Sequence, residues 1–388
     1  MSSRLFQALS GIAFAMPLLA GAAAPPGLHF NITAPPFPQL VHDISMNNAG
    51  DFAGYHSTVF PGGGGEYTGF WFDRNGTFRN LDFIDPTAQL ILAAINDNGG
   101  VTGRLLPADG SAERAFFART GGTPPVEIAP APGMSSFTSN ALSNTNAQGG
   151  WHVAGSGLTP EGYHAARWTV DGTPAQNATM VDLGTLGGAG SIGLDVNARG
   201  TVVGRADTAN GEQHAFIHEN GIMRNLDQVS GSGLTYSRAV AINEEGTVIG
   251  QTSDMGARAI IYGPDGVTYI GERGRGSTYA NDINNHGWIA GQSIVHTRER
   301  GFVYIDGEMI YLDTLVGPSP GQIYNALAIS DSNEILVYGC LLGWPGCGHF
   351  LLTPVPEPAA WALWLAGLPA VAAVARRRAR RRQEPRAA

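Results

Sequence analysis

One short pattern recurs seven times along this chain: an apolar residue, Asn, two or three variable residues, Gly, a few mostly apolar positions and a closing Gly. It is clearest in DISMNNAGDFAG (43–54), AINDNGGVTG (94–103), DVNARGTVVG (195–204), AINEEGTVIG (241–250) and DINNHGWIAG (282–291). Looser copies are LSNTNAQGGWHVAG (142–155) and AISDSNEILVYG (328–339). The closing glycines fall at 54, 103, 155, 204, 250, 291 and 339, a period of about 47 residues. A repeat of that length means that the fold is built from one supersecondary unit, stacked.

Each copy continues into a second pair of apolar runs, with Asn75-Gly76, Asp171-Gly172, Asn220-Gly221, Asp265-Gly266 or Asp306-Gly307 between them. These pairs tolerate the positive φ of a two-residue hairpin turn. The Asn-x-x-Gly sites serve the same purpose earlier in the unit, so one unit reads as four short antiparallel strands, a to d. Four such strands cannot cover both of their own faces, whereas units packed around an axis cover one another. The expected fold is therefore all-β, a seven-bladed β-propeller of four-stranded repeats spanning 25–354, with an open β-solenoid as the alternative. The last unit has no room for strand d before Pro354. Leu28 to Thr33 alternates as a strand should and lacks a partner, and is expected to complete that blade.

Composition agrees. Gly and Pro, 54 and 24 of 388 residues, argue against a helical bundle, and 43% hydrophobic residues are enough for a sizeable core. All 23 basic residues are Arg, and seven of them lie in the last thirteen positions. Between Pro25 and Pro354 there remain 15 Arg against 30 acids, so this body carries about −15 and would repel nucleic acid.

The two ends read as addresses. Arg4, the apolar stretch Ile12 to Leu19 and the small residues Ala20 to Ala24 form a secretory signal peptide over 1–24, to be removed by signal peptidase. At the other end Pro356-Glu357-Pro358 precedes seventeen uncharged residues, Ala359 to Ala375, and then the basic cluster Arg376, Arg377, Arg378, Arg380, Arg381 and Arg382. Seventeen residues make about 25 Å of helix, marginal for a bilayer core, and the arginines would stay on its cytoplasmic side with the tail 383–388. This arrangement over 355–382 closely resembles the PEP-CTERM sorting signal of Gram-negative bacteria. The resemblance implies recognition and cleavage near Pro356 to Pro358 by a membrane transpeptidase of the exosortase type, with only transient contact to the inner membrane. A permanent single-pass tail anchor is the alternative.

Asp182-Leu183-Gly184-Thr185-Leu186-Gly187-Gly188, Asp195-Val196-Asn197, Gly200 to Gly204 and His214-Ala215-Phe216 resemble one full copy of the HAF repeat of bacterial extracellular proteins. The other units keep the Asn-x-x-Gly and the aromatic strand c but lose His-Ala-Phe. The resemblance implies an extracellular location and no particular chemistry.

No Gly-x-Ser-x-Gly elbow, His-Glu-x-x-His, P-loop or Cys-x-x-Cys is present, and the ten histidines are scattered over different units, so neither a metal nor a cofactor is expected. Propeller enzymes place isolated carboxylates at the axis, which singles out Asp43, Asp195 and Asp282, just ahead of the a–b turns, as weak acid/base candidates. Capping of backbone N–H groups is the more ordinary use of such residues. The two cysteines, Cys340 and Cys347, flank the b–c loop of the last unit, where an oxidising compartment favours a disulfide over two reduced thiols. Trp71 and Trp168 fall in c-strands and are expected in blade packing; Trp344, in a loop, is the candidate surface contact. The expected function is an exported surface or extracellular-matrix structural or binding protein, not an enzyme, with exopolysaccharide as a candidate partner. A polysaccharide hydrolase or lyase, or a carbohydrate-binding propeller without turnover, is the alternative.

Overall fold

In the computed structural model the chain forms seven four-stranded antiparallel sheets, each built from neighbouring strands in sequence, with one exception. The structure describes residues 28–355 apart from 35–40, 60–64, 82–86, 112, 120–125, 147–148, 171–178, 255, 272–275, 318–320 and 345. The signal peptide, Pro356 to Pro358, the apolar stretch Ala359 to Ala375 and the arginines Arg376 to Arg382 lie outside the described residues. Among the described residues no helix is long and apolar enough to cross a membrane.

Blade 4 shows the common plan. Strand a is Gly187–Val196, b is Val202–Thr208, c is Gln213–Glu219 and d is Ile222–Asn225, followed by a short helix α1, Leu226–Ser230. Both turns use positive φ: Gly200 at +76° between a and b, and Asn220 and Gly221 at +52° and +79° between c and d. Hydrophobic side chains leave each sheet on both faces and meet those of the next blade. Thus Ala154, Ala165 and Leu183 of blade 3 pack on Val202, Ala206 and Phe216 of blade 4. Blade 1 likewise packs Phe52, Phe70 and Phe72 against Ala328 and Leu336 of blade 7, which makes the assembly a closed ring. Burying one Phe this way is worth about 2–3 kcal/mol, so the inter-blade seams are the core.

The exception is blade 7. Its strands a, b and c are Gly321–Ile329, Ile335–Leu341 and Cys347–Pro354, and its outermost strand is Phe30–Thr33 from the other end of the chain. Phe30 pairs with Pro354 and Thr33 with Leu351, which realises the borrowed strand expected from the sequence. Cys340 and Cys347 face each other across strands b and c and are joined in a disulfide.

A β-bulge interrupts strand a in every blade, for example between Leu92 and Ala94, Gly193 and Asp195, and Ala280 and Asp282. The closing glycine of the repeat stands opposite it. A Cβ at Gly103, Gly155 or Gly204 would collide with the carbonyl oxygen of Ile91, Thr138 or Ile192 on strand a. The glycine is therefore set by the close approach of two backbones, and the bulge turns one extra side chain toward the axis.

Candidate functional site

The seven a-strands line a channel along the ring axis, and the bulge residues Ile44, Ala93, Asn140, Leu194 and Val240 border both of its halves, forming a waist. The half on the side of the a–b turns has a cavity of about 340 Å³, and the half on the side of the b–c hairpins one of about 590 Å³.

The turn-side half is ringed by two belts of hydrogen bonds. In the first, the repeat Asn performs two tasks at once. Oδ1 of Asn284 accepts the N–H of Trp288 at 2.9 Å, holding its own turn, while Nδ2 donates to the carbonyl of Ser330 in the next blade at 2.9 Å. Asn47, Asn96, Asn197 and Asn243 reach Asn96, Ser143, Asn243 and Asn284 in the same way. The Asn-x-x-Gly pattern is thus an inter-blade link as well as a turn.

The residue after it builds the second belt. The N–H of Asn48 donates to Asp97 at 2.7 Å, that of Asp97 to Asn144 at 2.9 Å, that of Glu244 to Asn285 at 2.9 Å and that of Asn285 to Asp331 at 2.8 Å. Ala198 donates to Glu244 at 3.0 Å, and Asp331 returns to Asn48, closing the circle between blades 7 and 1. The single gap is at Ala198, whose methyl offers no acceptor to the N–H of Asn144. Burial raises the Glu244 carboxyl above the usual range, opposed by its bond from the Ala198 N–H.

Asp195 and Asp282 lie deeper in the same wall. Asp195 accepts the N–H of Val196 on Oδ1 and that of Ile242, in the next blade, on Oδ2, both at 2.8 Å. Asp282 bridges Ile283 and Ile329 identically. Burial outweighs these bonds and pushes the two carboxyls up, to about 7 for Asp195 and about 6 for Asp282. Asp43 does not share this position. Counting back from the repeat Asn, Ser45 corresponds to Asp195 and Asp282, and its Oγ accepts the N–H of Ile95 at 3.4 Å. Ala94, Ala141, Ala241 and Ala328 occupy the place elsewhere, so an acid is not required for the fold.

Sequence reasoning missed a third arrangement, at the seam between strands c and d. An Arg or His near the start of c clasps an acid in or just after d: Arg114 and Glu127 at 3.0 Å, His164 and Asp182 at 3.0 Å, His214 and Asp227 at 2.7 Å, Arg300 and Asp313 at 3.1 Å. The His of His-Ala-Phe is the blade-4 form of this clasp. A signal existed, since the partners of Arg114, His214 and Arg300 all lie thirteen residues ahead. Trp168 is buried against Phe137, as its place in strand c implies. Trp344 is 44% exposed in the b–c hairpin of blade 7, beside Leu342 at 70%. Among the described residues no three His, Cys, Asp or Glu side chains are grouped to hold a metal ion.

No family model and no curated protein sequence matches this chain. Solved structures do. The β-propeller domain of the trilobed protease from Pyrococcus furiosus, described as having an open velcro topology, aligns over 83% of this chain and 99% of its own with a TM-score of 0.53 and 9% identity. An acylaminoacyl peptidase in complex with a chloromethyl ketone aligns over 82% of this chain with a TM-score of 0.54 and 10% identity. The Pyrococcus horikoshii acylaminoacyl peptidase gives 84%, 0.50 and 10%. The alignment takes in about half the length of each of these two peptidases, 52% and 53%. At such identities the likeness is one of fold: the chain is a seven-bladed β-propeller, similar to the propeller domains of these peptidases.

Proposed function

We propose that this chain is an exported propeller, routed to the cell surface or extracellular matrix by its C-terminal PEP-CTERM-type signal, where it serves as a structural or binding module without turnover. The observation that carries the reading is where the propeller ends. The N–H of Val355 donates to the carbonyl of His29 at 2.8 Å, closing the last sheet, and Pro356-Glu357-Pro358 begins at the next residue. Cleavage within that motif by an exosortase-type transpeptidase would remove no strand and break no ladder bond. The disulfide suits an oxidising compartment beyond the inner membrane. Asp195 and Asp282 have both carboxylate oxygens engaged by backbone N–H groups of two blades, which favours a structural use.

The test is mass analysis of the mature protein from cells with and without the sorting enzyme. The chain should lack residues 1–24 in both, and should lose the segment after Pro358 only where the enzyme is present. Retention of Arg376 to Arg382 in the normal cell would overturn the sorting proposal. A second reading, a polysaccharide hydrolase or lyase, has in its favour the raised pKa values of two acids in the channel. Turnover of an exopolysaccharide that disappears in both Asp195→Ala and Asp282→Ala would establish it in place of the binding module.

A further inference from the structure

The channel is electrically lopsided. On the turn side of the waist stand Asp97, Glu244 and Asp331, whereas the larger cavity on the hairpin side has, among the described residues, two guanidinium groups and no carboxylate in its wall. Arg104 comes from strand b of blade 2 and Arg238 from strand a of blade 5. Arg104 shares its charge with Glu113 at 3.0 Å, outside the cavity lining. Arg238 is held differently: Nε and Nη2 both donate to the neutral amide oxygen of Gln251, at 3.1 and 2.7 Å. That contact orients the guanidinium without neutralising it, and among the described residues no carboxylate pairs with it.

We propose that this half of the channel binds a carboxylate-bearing saccharide, with the carboxylate of a uronate residue taken by Arg238 and Arg104. Volume and lining set the class. A space of about 590 Å³ lies within the range of small-ligand sites and admits one or two sugar rings. Its wall includes apolar surface, from Ile91 and Leu194, beside the hydroxyl of Thr138, which bonds Ser156, and the amide of Asn140, whose Nδ2 donates to the carbonyl of Gly193 at 2.8 Å, a mixed lining that matches a ring having C–H faces and hydroxyl edges. A dense polyanion is disfavoured, because the body carries about −15 and repels it before contact; a ligand with one or two carboxylates meets little of that field. The inference deepens the binding role proposed above and is independent of how the chain is sorted.

The probe is a disaccharide of galacturonic acid, titrated by calorimetry into the purified mature protein, alongside the neutral galactose disaccharide and an acetylated dipeptide with a free carboxylate. The expected result is binding of the uronate alone, weakened several-fold between low and physiological salt. Arg238→Gln should weaken it about tenfold or more, Arg104→Gln less, and Arg238→Lys should retain part of the affinity. Melting curves of the three variants show whether each remains folded, and the salt series on the unaltered protein needs no variant. Equal binding of the neutral disaccharide, full affinity in a folded Arg238→Gln protein, no dependence on salt or no uronate binding at all would overturn the proposal. Preference for the dipeptide would reassign the cavity to a peptide carboxylate. Each of these failures leaves the mature mass, and so the sorting reading, untouched.

Discussion

The hydroxyl of Tyr262 donates to Oδ1 of Asp227 at 3.2 Å, so the acid that follows the last strand of blade 4 is held from strand c of blade 5. The same carboxylate takes Nδ1 of His214, the hydroxyl of Ser237 and, at 3.1 Å, that of Ser232. Four donors converge on one buried group. Asp227→Ala would strand them in an apolar seam and should cost about 3–5 kcal/mol, read as a lowered urea midpoint. A loss within about 0.5 kcal/mol, the range of ordinary surface substitutions, would mean that the clasp is dispensable.

Asn284→Ala removes a turn acceptor and an inter-blade donor together. A destabilisation of about 2 kcal/mol is expected by chemical denaturation, and Asn284→Asp, which keeps the acceptor and loses the donor, should fall between. An Asn284→Asp variant as stable as the unaltered protein would show that the link to Ser330 contributes nothing.

Ala198 is the one break in the second belt. Ala198→Asn supplies the missing acceptor for the N–H of Asn144, and a gain of about 0.5–1 kcal/mol should appear as a higher melting temperature. A lower one would show that the gap exists to make room for its neighbours.

The acids of the channel wall give a signed pH dependence. Asp195, pushed to about 7, and Asp282, pushed to about 6, bind protons more tightly in the folded state than in the unfolded chain, where the ordinary value is 3.8. Their contribution to stability is therefore fully present below about pH 4 and is lost as pH rises through 6 to 7. Compared with the Asp195→Asn/Asp282→Asn double variant, the unaltered protein should lose several kcal/mol of relative stability, at most about 7, between pH 4 and pH 8. A difference that is flat, or that grows with pH, contradicts the burial assigned to them.

Much of the architecture was legible because its determinants are local. A closing glycine reports a bulge on the strand beside it, Asn220-Gly221 reports its own turn, and Leu28 to Thr33 stood out as a strand without a partner. The site was less legible because its bonds run from blade to blade. Nothing near Asn48 in sequence says that its N–H needs an acceptor at Asp97, and the residues filling that role vary among Asn, Asp and Glu. Asp43 was grouped with Asp195 and Asp282 because it opens its unit, but it stands four residues before the repeat Asn rather than two, and Ser45 holds the equivalent place.

Strand c of blade 7 runs from Cys347 to Pro354, so the chain departs at the far end of that blade from the disulfide hairpin, about 26 Å of extended strand away. Any tether at the C-terminus grips the ring by one pole and leaves the other free. Molecules arriving from outside would meet Leu342, Trp344 and the arginine-bearing opening first, with the carboxylate-rimmed opening turned back toward the tether.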